Sequence, residues 1–123
     1  MKASLYDTVF EKEHPIPDNC SSTVGRLEGN GIVLRPEGSY KGTQWIQSRG
    51  VSGFHFAICN TSGGLLVGDL GSLYGTLVDV EGNGNYVRVK KDSVVPVKPG
   101  SRIIVGPKTL KYELDVRING EDN

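Results

Sequence analysis

The chain has 123 residues, enough for one domain that buries its own hydrophobic core without a metal or disulfide staple. Its 14 Lys and Arg balance 14 Asp and Glu, so no charge excess marks a nucleic-acid or membrane surface. No apolar run reaches membrane-spanning length and the first residues carry no signal-peptide h-region, so the expected setting is soluble and intracellular, cytoplasm or nucleus.

Seventeen glycines and six prolines punctuate short runs rich in Val, Ile, Leu and Tyr, and no long segment shows the helical 3.6-residue period. That spacing predicts an all-β domain, an antiparallel β-sandwich of two sheets and about eleven strands. In chain order, strands are expected at Ser4–Glu11, Ser22–Arg26, Gly31–Arg35, Gln44–Ser48 and Phe54–Asn60. The second half gives Leu65–Gly68, Thr76–Val80, Tyr86–Lys90, Ser93–Val97, Arg102–Val105 and Thr109–Arg117. Between the first two, His14-Pro15-Ile16-Pro17-Asp18 reads as a stiff extended connection. Phe54-His55-Phe56-Ala57-Ile58 has apolar residues on both faces, as in a central strand covered on each side or one ending beneath loops. Asn83-Gly84 predicts a hairpin, because both residues tolerate positive φ, and Pro99-Gly100 predicts a turn. In the last strand Leu110, Tyr112, Leu114 and Val116 face one way, while Lys111, Glu113 and Asp115 face water. The domain is expected to span residues 1–118, followed by a frayed polar tail at 119–123. Cys20 and Cys59 have no CxxC spacing, and a reducing compartment favours two free thiols over a disulfide.

Few residues carry chemistry. Arg26 follows Gly25 at a strand end, where a guanidinium is either a solvated loop charge or a planar fork for a phosphate. Ser52 and His55 open a later strand as Ser-x-x-His. A serine nucleophile would need a base oriented by a third group, and the only other histidine, His14, lies in a Pro-flanked segment. No metal-ligand cluster, Walker loop or dinucleotide glycine pattern is present. No enzyme activity, metal or cofactor is expected. A carbohydrate-binding sandwich would want exposed aromatics in a row, and the five tyrosines form no such line.

Four blocks in order resemble the forkhead-associated (FHA) family: Gly25-Arg26, Ser52-Gly53-Phe54-His55, Asp69-Leu70-Gly71-Ser72-Leu73-Tyr74-Gly75-Thr76, and Gly100-Ser101-Arg102-Ile103-Ile104-Val105-Gly106. Taken together, the resemblance runs from about Gly25 to Leu114. The resemblance implies a β-sandwich whose loops gather at one end and bind phosphothreonine peptides or proteins in intracellular signalling. It places the phosphate on Arg26 and Ser52, the peptide floor at Leu73 and Tyr74, and structural support at Gly25, His55, Gly75 and Thr76. His55 is expected to be buried and hydrogen-bonded to loop backbone.

The sequence also departs from the family pattern. The serine is usually followed by Arg or Asn, and Gly53 stands there. The third block resembles D-x-x-S-x-N-G-T with Tyr74 at the asparagine, whose amide in family members holds the peptide main chain. Tyrosine cannot supply an amide's paired donor and acceptor. Leu73 stands where a hydroxyl residue is common, and Ser101 replaces an aspartate. Arg49, three residues before Ser52, is either a solvated loop charge or a second cation for the site. The stretch holding Tyr40, Lys41 and Trp45 reads as a lip over the binding face or as a long hairpin with Trp45 in the core. The expected partner is therefore a phosphorylated protein or peptide, or alternatively a protein recruited without phosphate by a degenerate module. No nucleic acid or membrane is expected.

Overall fold

The computed structural model describes residues 2–34 and 49–118. They form two packed sheets. The strands are β1 (Ala3–Asp7), β2 (Lys12–Ile16), β3 (Cys20–Gly25), β4 (Ile32–Val33), β5 (Phe56–Thr61) and β6 (Gly64–Asp69). After them come β7 (Thr76–Asp79), β8 (Val87–Arg88), β9 (Val94–Val97), β10 (Arg102–Val105) and β11 (Tyr112–Ile118). One sheet has the order β2-β1-β11-β10-β7-β8 and the other β4-β3-β5-β6-β9. All pairings are antiparallel except β3 with β4, which is parallel.

The core lies between the sheets. Leu5, Val24, Phe56, Ile58, Leu65, Val67, Ile103, Val105, Tyr112 and Leu114 are each no more than 1 % exposed. Alternation along β11 buries Tyr112, Leu114 and Val116, as its period-two pattern predicts. β5 is central in its sheet, but its fully buried side chains, Phe56 and Ile58, share one face.

Several local expectations are corrected. β1 stops at Asp7, short of Glu11, because the Asp7 carboxylate accepts the Val9 and Phe10 N–H groups at 2.9 and 3.0 Å and turns the chain. The Tyr112 hydroxyl donates to the same carboxylate, and burial beside that charge drives the phenol pKa far upward. The chain returns through Glu11 (φ 54°) into β2, so His14-Pro15-Ile16 is strand and not connection. Pro15 is tolerated because β2 is an edge strand with one side unpaired. Lys108–Leu110 forms a 3-10 turn closed by Leu110 N–H to Pro107 O at 3.0 Å, which removes Thr109 and Leu110 from the last strand. Phe54 precedes β5 and is exposed.

The hairpin expected at Asn83-Gly84 forms as the β7–β8 pair, with its loop over residues 80–86. Positive φ falls on Gly82 and Gly84, and not on Asn83. Buried Asp79 organises this loop by accepting Asn83 and Gly84 N–H groups at 3.1 and 2.7 Å. The Pro99-Gly100 turn forms as expected, with Gly100 at φ 98° and Ser101 N–H bonded to Lys98 O at 2.9 Å. Ser101, at the place of the family's aspartate, is fully buried; its hydroxyl donates to Val80 O at 2.7 Å and accepts Lys98 N–H at 3.0 Å.

Cys20 and Cys59 are free thiols. Register opposes Cys20 to Asn60 and Ser21 to Cys59, so the two thiols point to opposite faces of the sheet. The expected strand at Gln44–Ser48, with Tyr40, Lys41 and Trp45, and the tail at 119–123 lie outside the described residues. Among the described residues no helix is long and apolar enough to cross a membrane.

Candidate functional site

Three segments meet at one end of the sandwich: the loop after β3 (26–31), the segment before β5 (49–55), and the loop between β6 and β7 (70–75). The first two are joined through backbone. Arg26 N–H donates to Ser52 O at 3.1 Å and Leu27 N–H to Gly53 O at 3.2 Å. Gly25 makes that approach possible, since a Cβ there would lie 2.2 Å from the Gly53 oxygen. Buried Asn30 locks the contact by donating its amide to Leu27 O at 2.7 Å and Gly53 O at 2.6 Å.

His55 ties the second segment to the third. Its ring is fully buried; Nδ1 accepts Ser52 N–H at 3.0 Å, and Nε2–H donates to Gly75 O at 2.8 Å. These partners fix one neutral tautomer. Burial lowers the His55 pKa, opposed in part by the Gly75 carbonyl and the Asp69 charge. With both nitrogens committed to backbone, His55 is a strut and not a base.

Asp69 organises the third loop. One carboxylate oxygen accepts the Gly71 and Ser72 N–H groups at 2.9 and 3.0 Å, and the other the Ser72 and Thr76 hydroxyls at 2.6 and 2.7 Å. Burial pulls the Asp69 carboxyl upward, but these four donors outweigh it and hold the pKa below the usual carboxylate value. Thr76 is fully buried. Gly75 carries φ 85°, which a glycine adopts without strain.

The exposed side is built differently. Arg26 projects into solvent with Nε–H bonded to Val51 O at 3.2 Å, and among the described residues its terminal amino groups meet no carboxylate. Ser52 Oγ accepts Leu73 N–H at 3.0 Å, leaving its own proton to donate elsewhere. Tyr74 is 47 % exposed and Leu73 77 %. Leu27, Phe54 and Leu70 add further exposed apolar side chains from all three segments. Gly53 lies beneath Leu27, whose Cδ1 would stand 2.7 Å from a Cβ placed there. Arg49 is exposed at the start of the second segment.

The structure thus gathers Arg26, Ser52, Gly53, Leu73 and Tyr74 on the solvent side and Gly25, His55, Gly75 and Thr76 behind them. The sequence reading missed three participants. Asn30 gave no signal, because the partner that makes it a lock between the segments, Gly53 O, is distant in sequence. Asp69 was visible in the motif but not as a hub. Arg88, on β8, packs its guanidinium over Gly75.

The family model for the FHA domain matches residues 22–106. The chain belongs to the FHA family. Among solved structures, an FHA domain from Arabidopsis thaliana superposes with a TM-score of 0.72 at 22 % identity, covering 99 % of this chain and 90 % of that one. The N-terminal FHA domain of S. cerevisiae Rad53p, solved with a phosphothreonine peptide, gives 0.68 at 21 % identity, covering 98 % and 96 %. Mycobacterium tuberculosis EmbR, solved with a low-affinity phosphopeptide, gives 0.65 at 24 % identity; the match covers 96 % of this chain but only 24 % of EmbR. These likenesses establish the FHA fold. No match is found among curated proteins.

Proposed function

We propose that this FHA domain is an interaction module that binds phosphothreonine-containing proteins or peptides in intracellular signalling, in cytoplasm or nucleus. The observation that carries the reading is Arg26: a guanidinium anchored at Nε, without a carboxylate partner among the described residues, on the same loop cluster as a serine hydroxyl with a proton to give. A phosphate dianion takes parallel N–H donors from such a fork and a further bond from Ser52. The related Rad53p and EmbR structures, solved with phosphopeptides, support the same ligand class. An open loop site of this kind suits transient micromolar binding, about −8 kcal/mol. Gly53 and Tyr74 each omit a group the family normally uses, so binding is weaker than in members that retain both and depends chiefly on Arg26, with Arg49 as a secondary cation.

The test is titration of a degenerate phosphothreonine library beside its unphosphorylated twin, using wild type and Arg26→Ala. Arg26→Ala abolishes phosphopeptide binding and leaves the fold intact, because the side chain is exposed and its bond to Val51 O is worth only about 0.5–1.5 kcal/mol. One observation favours a second reading, phosphate-independent recruitment: Leu27, Phe54, Leu70, Leu73 and Tyr74 put an apolar surface on the same loops. Retention of the natural partner by Arg26→Ala at wild-type affinity selects that reading instead.

A further inference from the structure

We infer that Arg88 is a second cationic subsite of this surface, taking the carboxylate of an acidic side chain carried by the same phosphorylated segment; the inference rests on the phosphopeptide reading above. β8 pairs with β7 so that Arg88 stands opposite Leu77, beside the end of the 70–75 loop. Its guanidinium lies against Gly75, where a Cβ would stand 2.8 Å from both Cζ and Nη2. The bare face of a glycine in a left-handed conformation is therefore the seat of the arginine. That seat is held from behind by His55, whose Nε2–H bonds the Gly75 carbonyl.

Nothing in the described residues neutralises this cation. Arg88 is exposed and in no ion pair. Asp69, the one carboxylate on the neighbouring loop, has its oxygens filled by four internal donors. The place of Arg88 also matters. It borders Tyr74-Gly75, where the amide of other family members is missing. A guanidinium has donors only, so it cannot grip a peptide main chain as an amide does, but its fork matches a carboxylate. Besides Arg49 of the second segment, the described surface thus has Arg26 from the first loop and Arg88 beside the third. Arg26 and the Gly75 seat of Arg88 are joined through Ser52 and His55 by hydrogen bonds of 3.0–3.1 Å and 2.8 Å. The competing account is an edge-strand charge that only discourages pairing of β8 with another sheet.

The experiment is an anisotropy titration of phosphothreonine peptides in which a single Asp, or Asn as control, is walked through each flanking position. Wild type, Arg88→Gln and Arg88→Lys are compared. At one position Asp raises wild-type affinity over Asn by about three- to fivefold, the range of a partly exposed ion pair. Arg88→Gln erases that gain while keeping phosphate dependence, and Arg88→Lys retains part of it. A role confined to the strand edge predicts equal losses for Asp and Asn peptides. Phosphate-dependent binding with no Asp gain, or a gain that survives Arg88→Gln, overturns the subsite and leaves the phosphopeptide reading standing. No phosphate-dependent binding to any peptide, with the natural partner still held by Arg26→Ala, overturns both.

Discussion

The two sides of one loop cluster obey different rules. Behind the loops, Gly25, His55, Asp69 and Thr76 each meet a defined neighbour at hydrogen-bond or van der Waals range, and His55 and Thr76 are fully buried. On the solvent side, Tyr74, Leu73 and Arg26 are exposed, and Gly53 is half-buried, its carbonyl held by Leu27 N–H and Asn30 while Leu27 covers its bare Cα. The departures at Leu73 and Tyr74 fall on the exposed side, and that at Gly53 on the boundary, with its backbone in the frame and its missing side chain toward Leu27. Residues with buried polar partners cannot change alone, because the abandoned donor or acceptor costs about 1–3 kcal/mol. A residue facing water can be exchanged while the scaffold stays intact. The loop frame and the ligand grip are therefore separable, and substitutions on each side should behave accordingly.

The largest effect is expected from Gly25→Val, which forces side-chain atoms into the Gly53 carbonyl and parts the first two segments. It should destabilise by about 2–3 kcal/mol and also remove ligand binding, as read by denaturant melts and peptide titration. Next comes His55→Ala, expected to cost about 1–3 kcal/mol by stranding Ser52 N–H and Gly75 O. His55 also sets a pH dependence of known sign. Its folded pKa is lowered from 6.5 by burial, so between the two values the unfolded chain binds more protons. Stability from this group is complete above the unfolded pKa and is lost as pH falls toward the folded one. His14, also lowered by burial, acts in the same direction. Wild type should thus unfold at lower denaturant at about pH 5.5 than at about pH 7.5, and His55→Ala should show a smaller difference. An unchanged pH difference in the variant would break the assignment of His55 as a buried neutral strut.

The same division explains what was legible in the sequence. β11 could be read from its alternation, and the Pro99-Gly100 turn from residues whose backbone preferences are local. β2 was not legible, because Pro15 argues against a strand unless the strand is known to be an edge, and edges are a property of the assembled sheet. Asn83-Gly84 marked the hairpin, but the Asp79 carboxylate set the path of its loop and the positive φ fell on Gly82 and Gly84. At the site, Arg26, Ser52 and His55 were found because their types and order fit a known pattern. Asn30 and Arg88 were not, since each acts on a backbone segment 23 or 13 residues away that only the folded chain brings near.

The smallest expected effect is also the sharpest test of separability: restoring the family's groups on the exposed side. Tyr74→Asn returns an amide next to Gly75, where the loop path is already set by Asp69 and His55, so no backbone change is required. Gly53→Asn places its Cβ 2.7 Å from Leu27 Cδ1, the end of a flexible and exposed side chain that can turn aside. Gly53 does not have positive φ, so its backbone accepts the new residue. Each substitution adds one hydrogen-bonding group to an open site, worth about 0.5–1.5 kcal/mol. Affinity for phosphothreonine peptides should therefore rise two- to tenfold or so per change, with thermal stability held within about 0.5 kcal/mol of wild type. If the frame and the grip are independent, the double variant gains roughly the sum of the two in free energy. A loss of stability with either substitution would mean that Tyr74 or Gly53 belongs to the frame, and the division between the two sides of the loops would have to be redrawn.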